Sequence, residues 1–165
     1  MTNLSTNKKI ETIINKKLAK EDKDNYTQRK LLKKIAHRFA RLQYCVDQDY
    51  KCLIYGYVGD IYYYTLLANY MYYKEPFDDI LVKSTYNTIE ETDYILSLDK
   101  FELSRSIVKL LSNIKDDELT ARNISLILVT IHMICIYYKL DFIDAIVEAY
   151  EDLRKGVRYA DWDKR

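Results

Sequence analysis

The sequence predicts an all-α protein, and three observations support that prediction. Only three glycines and one proline occur in 165 residues, so the residues that form tight turns are scarce. Hydrophobic residues make up 48% of the chain and charged residues 31%, which is typical of a folded domain with a sizeable core. Apolar residues recur at spacings of three and four, which is the period of a helix with one buried side.

The first half of the chain predicts two long helices. An amphipathic helix is expected from Thr27 to about Tyr50. The segment 52–73 is apolar on nearly all sides, which predicts a helix buried between others. The apolar stripe of the first helix consists of Leu31, Leu32, Ile35, Ala36, Phe39 and Leu42.

The second half predicts a similar series. Residues 93–114 suit a second amphipathic helix or a broken pair, and an apolar helix should follow and end at Tyr138. Asp141 has the side chain of an N-cap, so a last helix should begin there and end near Gly156. Shorter helices are expected at Lys9–Lys20 and from Pro76 to Ser84.

An internal repeat organises these elements. Tyr72–Ser84 aligns without a gap to Tyr137–Ala149, at a spacing of 65 residues and with six of thirteen positions identical. A fixed spacing of this kind indicates duplicated structural units. We therefore expect a four-helix core made from two tandem helical units in one compact domain. The predicted divisions are a basic N-terminal extension at 1–26, units at 27–86 and 93–156, and a tail at 157–165.

Charge is distributed unevenly along the chain. The net charge is +1, but residues 1–41 hold twelve Lys and Arg against four acidic residues, whereas the remainder holds fourteen against twenty-one. A basic N-terminal helix can contact the phosphates of a nucleic acid. Alternatively, the basic segment docks on the acidic remainder, within one chain or in a homodimer.

Other features of the sequence predict the cellular setting. No apolar run reaches the 18 or so residues that a membrane span needs, and no signal peptide opens the chain, so no membrane partner is expected. Cys45, Cys52 and Cys135 show no CxxC spacing, which favours reduced thiols and a cytoplasmic location. Frequent Ile, Lys, Asn, Tyr and Asp suggest an AT-rich genome, such as that of a phage or virus.

Three segments resemble a known family. GDIYYYTLLANYMYYKEPFDDIL at 59–81, DKFELSRSIVKLL at 99–111 and KLDFIDAIVEAYEDLRKGVRY at 139–159 are similar to helices of the all-α nucleotide pyrophosphohydrolases, the MazG-like and dimeric dUTPase group. The resemblance covers about residues 30–159 as two tandem units. It implies a nucleotide or nucleotide-like ligand, with Mg²⁺ held by carboxylates on two helices.

The resemblance also implies a set of site residues. Asp60 matches an aspartate of the family's third helix, and Asp99 and Glu102 match the acidic pair of its second helix. The implied metal ligands are therefore Asp60, Asp99 and Glu102, with Asp60 and Glu102 as the catalytic residues. In the first unit, Lys34 and His37 replace the acidic pair. They are the candidates for binding the nucleotide, or else they form a salt bridge with Asp60.

The altered acid set leaves two functions open. Neither unit keeps four carboxylates, so the resemblance implies a MazG-like nucleotide-binding protein whose pyrophosphohydrolase activity is weakened or lost. The alternative is a non-catalytic helical interaction protein, for instance a phage or viral factor that binds a host protein or nucleic acid. In that case Asp99 and Glu102 are solvated acids of a first helical turn. Under either function, His132 lies on an apolar helix and is expected to be a core residue with a local hydrogen bond.

Overall fold

The structure is a computed structural model that describes residues 27–73, 92–114 and 120–141, together with Asp144, Ala145 and Glu148. These residues form helices and contain no strand, so the predicted all-α class is confirmed. No helix in the described part of the chain is long and apolar enough to cross a membrane. The helices expected at Lys9–Lys20 and Pro76–Ser84, and the tail, lie outside these residues.

Helix α1 spans Gln28–Gln48 and matches the first predicted helix. The Thr27 side chain caps its start by accepting a hydrogen bond from the Lys30 N–H at 3.1 Å. Asp49 ends the helix in the left-handed region at φ 55°, and the next N–H, that of Tyr50, donates to the Cys45 carbonyl at 3.0 Å. This closure satisfies the last carbonyl groups and turns the chain directly into the next helix. The predicted apolar stripe is buried, apart from the half-buried Ala36.

Helix α2 spans Lys51–Ala68 and continues into a π-helical turn at Asn69–Tyr73. Its residues from Gly56 to Asn69 are all buried. The predicted burial of this helix on most sides is therefore confirmed. Tyr62, Tyr63 and Tyr64 are consecutive and point in different directions, yet all three lie in the core.

The sequence left either one amphipathic helix or a broken pair open for residues 93–114, and the structure has the broken pair. Helix α3 spans Thr92–Ser97 and helix α4 spans Lys100–Asn113. Helix α5 spans Ala121–Tyr138, with the Thr120 side chain accepting from the Asn123 N–H at 3.1 Å. The expected cap at Asp141 is also present, because its carboxylate accepts from the Asp144 N–H at 3.1 Å.

Four of these helices contact one another in a closed circuit. Helix α1 packs on α2 and α4, and α5 packs on the same two helices from the other side, with α3 also against α5. One continuous cluster of buried residues from α1, α2, α4 and α5 fills the space between them. The origin of these helices as two tandem units stays a prediction, since most of the repeated segments lies outside the described residues.

Candidate functional site

An ion pair inside the helical core involves the first predicted site residue. The Asp60 side chain on α2 is fully buried, and its Oδ2 contacts Nε of Arg38 on α1. Arg38 is anchored on its own helix as well, because its Nη1 donates to the Lys34 carbonyl at 3.2 Å. A carboxylate without access to water requires a cation or several hydrogen-bond donors, and Arg38 supplies the cation.

The cation that pairs with Asp60 differs from the one expected. The sequence favours Lys34 or His37, but His37 is exposed on the outer side of α1. Lys34 instead holds its Nζ 5.3 Å from the centre of the Tyr64 ring, and the Arg38 guanidinium lies 4.8 Å from the same ring. These cation–π contacts help to orient both side chains at the α1–α2 contact. The long Arg38 side chain reaches inward from the border of the apolar stripe, which helical periodicity does not reveal.

The acidic pair on α4 has a different setting. Asp99 is the N-cap of α4, and its Oδ1 accepts a hydrogen bond from the Glu102 N–H at 2.8 Å. Both side chains are exposed. This is the arrangement expected for acids that stabilise a helix N-terminus.

Glu102 lies on the rim of an open cavity of about 360 Å³. Tyr94 of α3 and Met133 of α5 line its apolar side, and Arg105 and Lys109 place two cations beside Glu102. A cavity of this size falls within the range of small-molecule sites. Its complete lining is Tyr94, Leu98, Glu102, Arg105, Ser106, Lys109 and Met133.

The structure does not gather the predicted metal ligands. Across the described ranges, no group of three or more His, Cys, Asp and Glu side chains is placed to hold a metal ion. Asp60 faces Arg38 in the core, whereas Asp99 and Glu102 face solvent. A Mg²⁺ site formed by Asp60, Asp99 and Glu102 stays a prediction.

A second polar contact crosses the core between α2 and α5. The Tyr62 hydroxyl is hydrogen-bonded to Nε2 of His132, and both side chains are buried. Burial lowers the pKa of His132 to about 4 and raises the pKa of Tyr62 well above 10, so both groups are neutral at ordinary pH and the tautomer of His132 sets which of them donates. His132 is therefore a core residue, as predicted. Tyr62 is fully enclosed by the core.

A third cluster joins three helix ends at the surface. The Asp49 carboxylate pairs with Lys100 Nζ at 3.0 Å and accepts from the Tyr138 hydroxyl at 3.1 Å. These two hydrogen bonds lower the pKa of Asp49. The ends of α1 and α5 and the start of α4 thus meet at one carboxylate. The sequence contains no motif for this contact, because its members are separated by 51 and 89 residues.

The chain was compared with models of protein families, with curated proteins and with solved structures, and none matches. The resemblance to MazG-like proteins therefore rests on the sequence segments alone.

Proposed function

We propose that the protein is a helical interaction protein without catalytic activity, on a scaffold similar to that of the MazG-like pyrophosphohydrolases. The observation that supports this most directly is the buried ion pair of Asp60 with Arg38. In the resemblance, Asp60 is a metal ligand. Here the carboxylate faces a guanidinium, so a Mg²⁺ ion would have to displace that cation from the core and lose most of its own water.

The setting of the α4 acids supports the same proposal. The Asp99 carboxylate already accepts a backbone N–H as a helix cap, and Glu102 projects from an exposed first turn. Hydrolysis of a triphosphate by this mechanism needs several carboxylates around one or two ions, which then position the attacking water. Two exposed acids without a third ligand provide a weak Mg²⁺ site at best.

The test is a panel of nucleoside triphosphates incubated with the protein and Mg²⁺ or Mn²⁺. We expect pyrophosphate release at the rate of the protein-free control, because Asp60 is unavailable to the metal. The matched variant is Glu102→Gln, which should behave like the unaltered protein. Pyrophosphate release that disappears in Glu102→Gln would contradict the proposal and identify an active pyrophosphohydrolase.

Nucleotide binding without hydrolysis is the second candidate, and the cavity on α4 favours it. Tyr94 offers an aromatic ring, while Arg105 and Lys109 offer cations for phosphate oxygens. The test adds the same nucleoside triphosphates without a divalent metal and measures the thermal unfolding midpoint of the protein. Binding raises that midpoint. A shift that requires Arg105, and is lost in Arg105→Gln, supports this candidate. No shift at millimolar nucleotide excludes it.

A further inference from the structure

The solvent side of α1 carries an excess of positive charge. The helix holds six Lys and Arg and one acidic residue, the exposed Asp47 in its last turn. Four of these six cations are exposed, whereas Lys34 and Arg38 turn toward Tyr64 and Asp60. The exposed set is Arg29, Lys30, Lys33 and Arg41, which we call the basic face.

Helix geometry places the basic face on one side. At about 100° per residue, its four members fall within an arc of about 120° on the helix circumference. With a rise of about 1.5 Å per residue, Arg29 and Arg41 are separated by roughly 18 Å along the axis. The opposite side of the helix holds the buried apolar stripe. The basic face therefore lies on one side of α1, with three cations near the start of the helix and Arg41 about 12 Å further along the axis.

Folding stability does not account for the basic face. Arg29 and Lys30 lie in the first turn of α1, where the positive end of the helix dipole disfavours cations. Arg29 and Lys33 are four residues apart, and like charges at this spacing repel each other. Arg29, Lys30 and Lys33 form no ion pair with any residue that the structure describes. A partner with closely spaced negative charges would relieve this repulsion.

The packing of α1 selects among such partners. A helix that inserts into a membrane surface needs a free apolar side, but the apolar side of α1 is enclosed in the core. A nucleic acid requires only the exposed cations, and duplex DNA presents one phosphate charge per roughly 1.7 Å of its axis. A basic face of roughly 18 Å therefore faces several phosphates at once.

We propose that the basic face of α1 binds the phosphate backbone of nucleic acid without reading its sequence. This inference rests on the proposed function, because it names the partner of the interaction protein. Phosphate contacts provide affinity and orientation, whereas sequence is read by contacts to base edges. The contact releases counterions, so its affinity falls steeply with salt.

The experiment measures the affinity of the full chain for short labelled duplex DNA, and for single-stranded RNA, as a function of salt. If four cations contact phosphates, the affinity for the duplex falls roughly 150-fold between about 50 and 200 mM salt. The variant Arg29→Gln/Lys30→Gln/Lys33→Gln should reduce that fall to about 4-fold. Each phosphate contact contributes about 0.9 to the slope of the logarithm of affinity against the logarithm of salt concentration. DNA duplexes of unrelated sequence should bind equally well.

The matched control removes the same number of charges elsewhere. Lys51→Gln/Arg122→Gln/Lys139→Gln replaces three exposed cations, one on α2, one on α5 and one directly after α5. Retention of the steep salt dependence in this control, with its loss in the α1 variant, supports the proposal. The proposal is overturned if both variants reduce the salt dependence of the affinity equally. It is also overturned if the affinity of the unaltered protein depends only weakly on salt. All changed side chains are exposed, and circular dichroism verifies that each variant is folded.

Anionic vesicles distinguish a lipid surface from a nucleic acid. Vesicles that contain phosphatidylserine should compete weakly with the duplex, because α1 has no free apolar side to insert. Vesicles that bind the protein more tightly than the duplex does would overturn the assignment to nucleic acid. These outcomes are independent of nucleotide turnover, so this inference and the proposed function can fail separately.

Discussion

Arg38 brings its charge from the border of α1 into contact with the buried carboxylate of Asp60. Such a pair loses the solvation of both ions, and their mutual attraction offsets that loss only in part. The second oxygen of Asp60, Oδ1, is buried and accepts no hydrogen bond from the described residues. The pair is thus better suited to specify how α1 meets α2 than to add net stability.

Replacing one member of this pair should therefore lower the free energy of unfolding strongly, whereas replacing both members should lower it much less. We expect Arg38→Met to lower the free energy of unfolding by roughly 3–5 kcal/mol, because it leaves Asp60 charged and unpaired in the core. Arg38→Met/Asp60→Leu should recover most of that loss, since the two apolar side chains need no water. Urea unfolding of the single and double variants measures both values.

Lys34→Met is the control for a neighbouring cation on the same helix. Lys34 contacts the Tyr64 ring and is half-buried, so its loss should cost much less than the loss of Arg38. If the double variant is as unstable as Arg38→Met alone, the energetic account of the ion pair is wrong.

At the scale of helices, α2 and α5 are joined by the Tyr62–His132 hydrogen bond within an apolar contact. The side chains of Ile61, Leu66, Ile131 and Cys135 are buried on the same two helices. Burial raises the pKa of Cys135 to about 12. Tyr62 and Cys135 therefore stay neutral at ordinary pH, and His132 is the titratable group of this contact.

His132 should make the α2–α5 contact sensitive to acid. Its pKa in the folded protein is about 4, below the ordinary value of 6.5, so the unfolded chain takes up a proton first as the pH falls. The stabilisation from this residue is complete above pH 6.5 and is lost between pH 6.5 and 4. The loss amounts to about 3 kcal/mol for a shift of this size. Urea unfolding between neutral pH and pH 4.5 measures it.

The second histidine is the internal control for that titration. His37→Gln is the matched variant, because it removes an exposed histidine on α1 that lies outside the α2–α5 contact. His132→Gln should flatten the decline in stability below pH 6.5, even if it lowers stability at all pH values. An unchanged decline in His132→Gln would show that carboxylates, and not His132, dominate between pH 6.5 and 5.

The whole molecule depends on contacts between its two halves. Helices α1 and α2 form a hairpin, yet each packs on a helix from the second half of the chain. The Asp49 cluster and the Tyr62–His132 bond also cross between the halves. Among the described residues, α1 and α2 therefore do not cover their apolar surfaces by packing on each other alone.

We expect the segment 27–86 to be largely unfolded when it is produced alone, because α4 and α5 no longer cover α1 and α2. Circular dichroism should show low helicity for this segment and for 93–156, and a gain in helicity when the two are mixed. Full helicity and cooperative unfolding of 27–86 alone would contradict this expectation. It would also show that the first predicted unit is an independent domain.

The candidate site was predictable only in part. Asp60 was identified through the resemblance, and because it lies in an apolar helix its carboxylate needs a cation once it is buried. The cation that pairs with Asp60 is set by the way α1 crosses α2, which the sequence does not show. The sequence therefore predicted Lys34 or His37, and the structure has Arg38. His132 was expected in the core, but its partner Tyr62 lies 70 residues away.

Local patterns in the chain are sufficient for the all-α class, the extent of α1 and α2 and the cap at Asp141, because helical period and capping act over a few residues. The contacts that give these helices their chemistry join positions that are distant in the chain, and they exist only once the helices are packed. Packing therefore decided that Asp60 faces Arg38, that Asp99 and Glu102 stay at the surface, and that the basic face of α1 remains open to solvent.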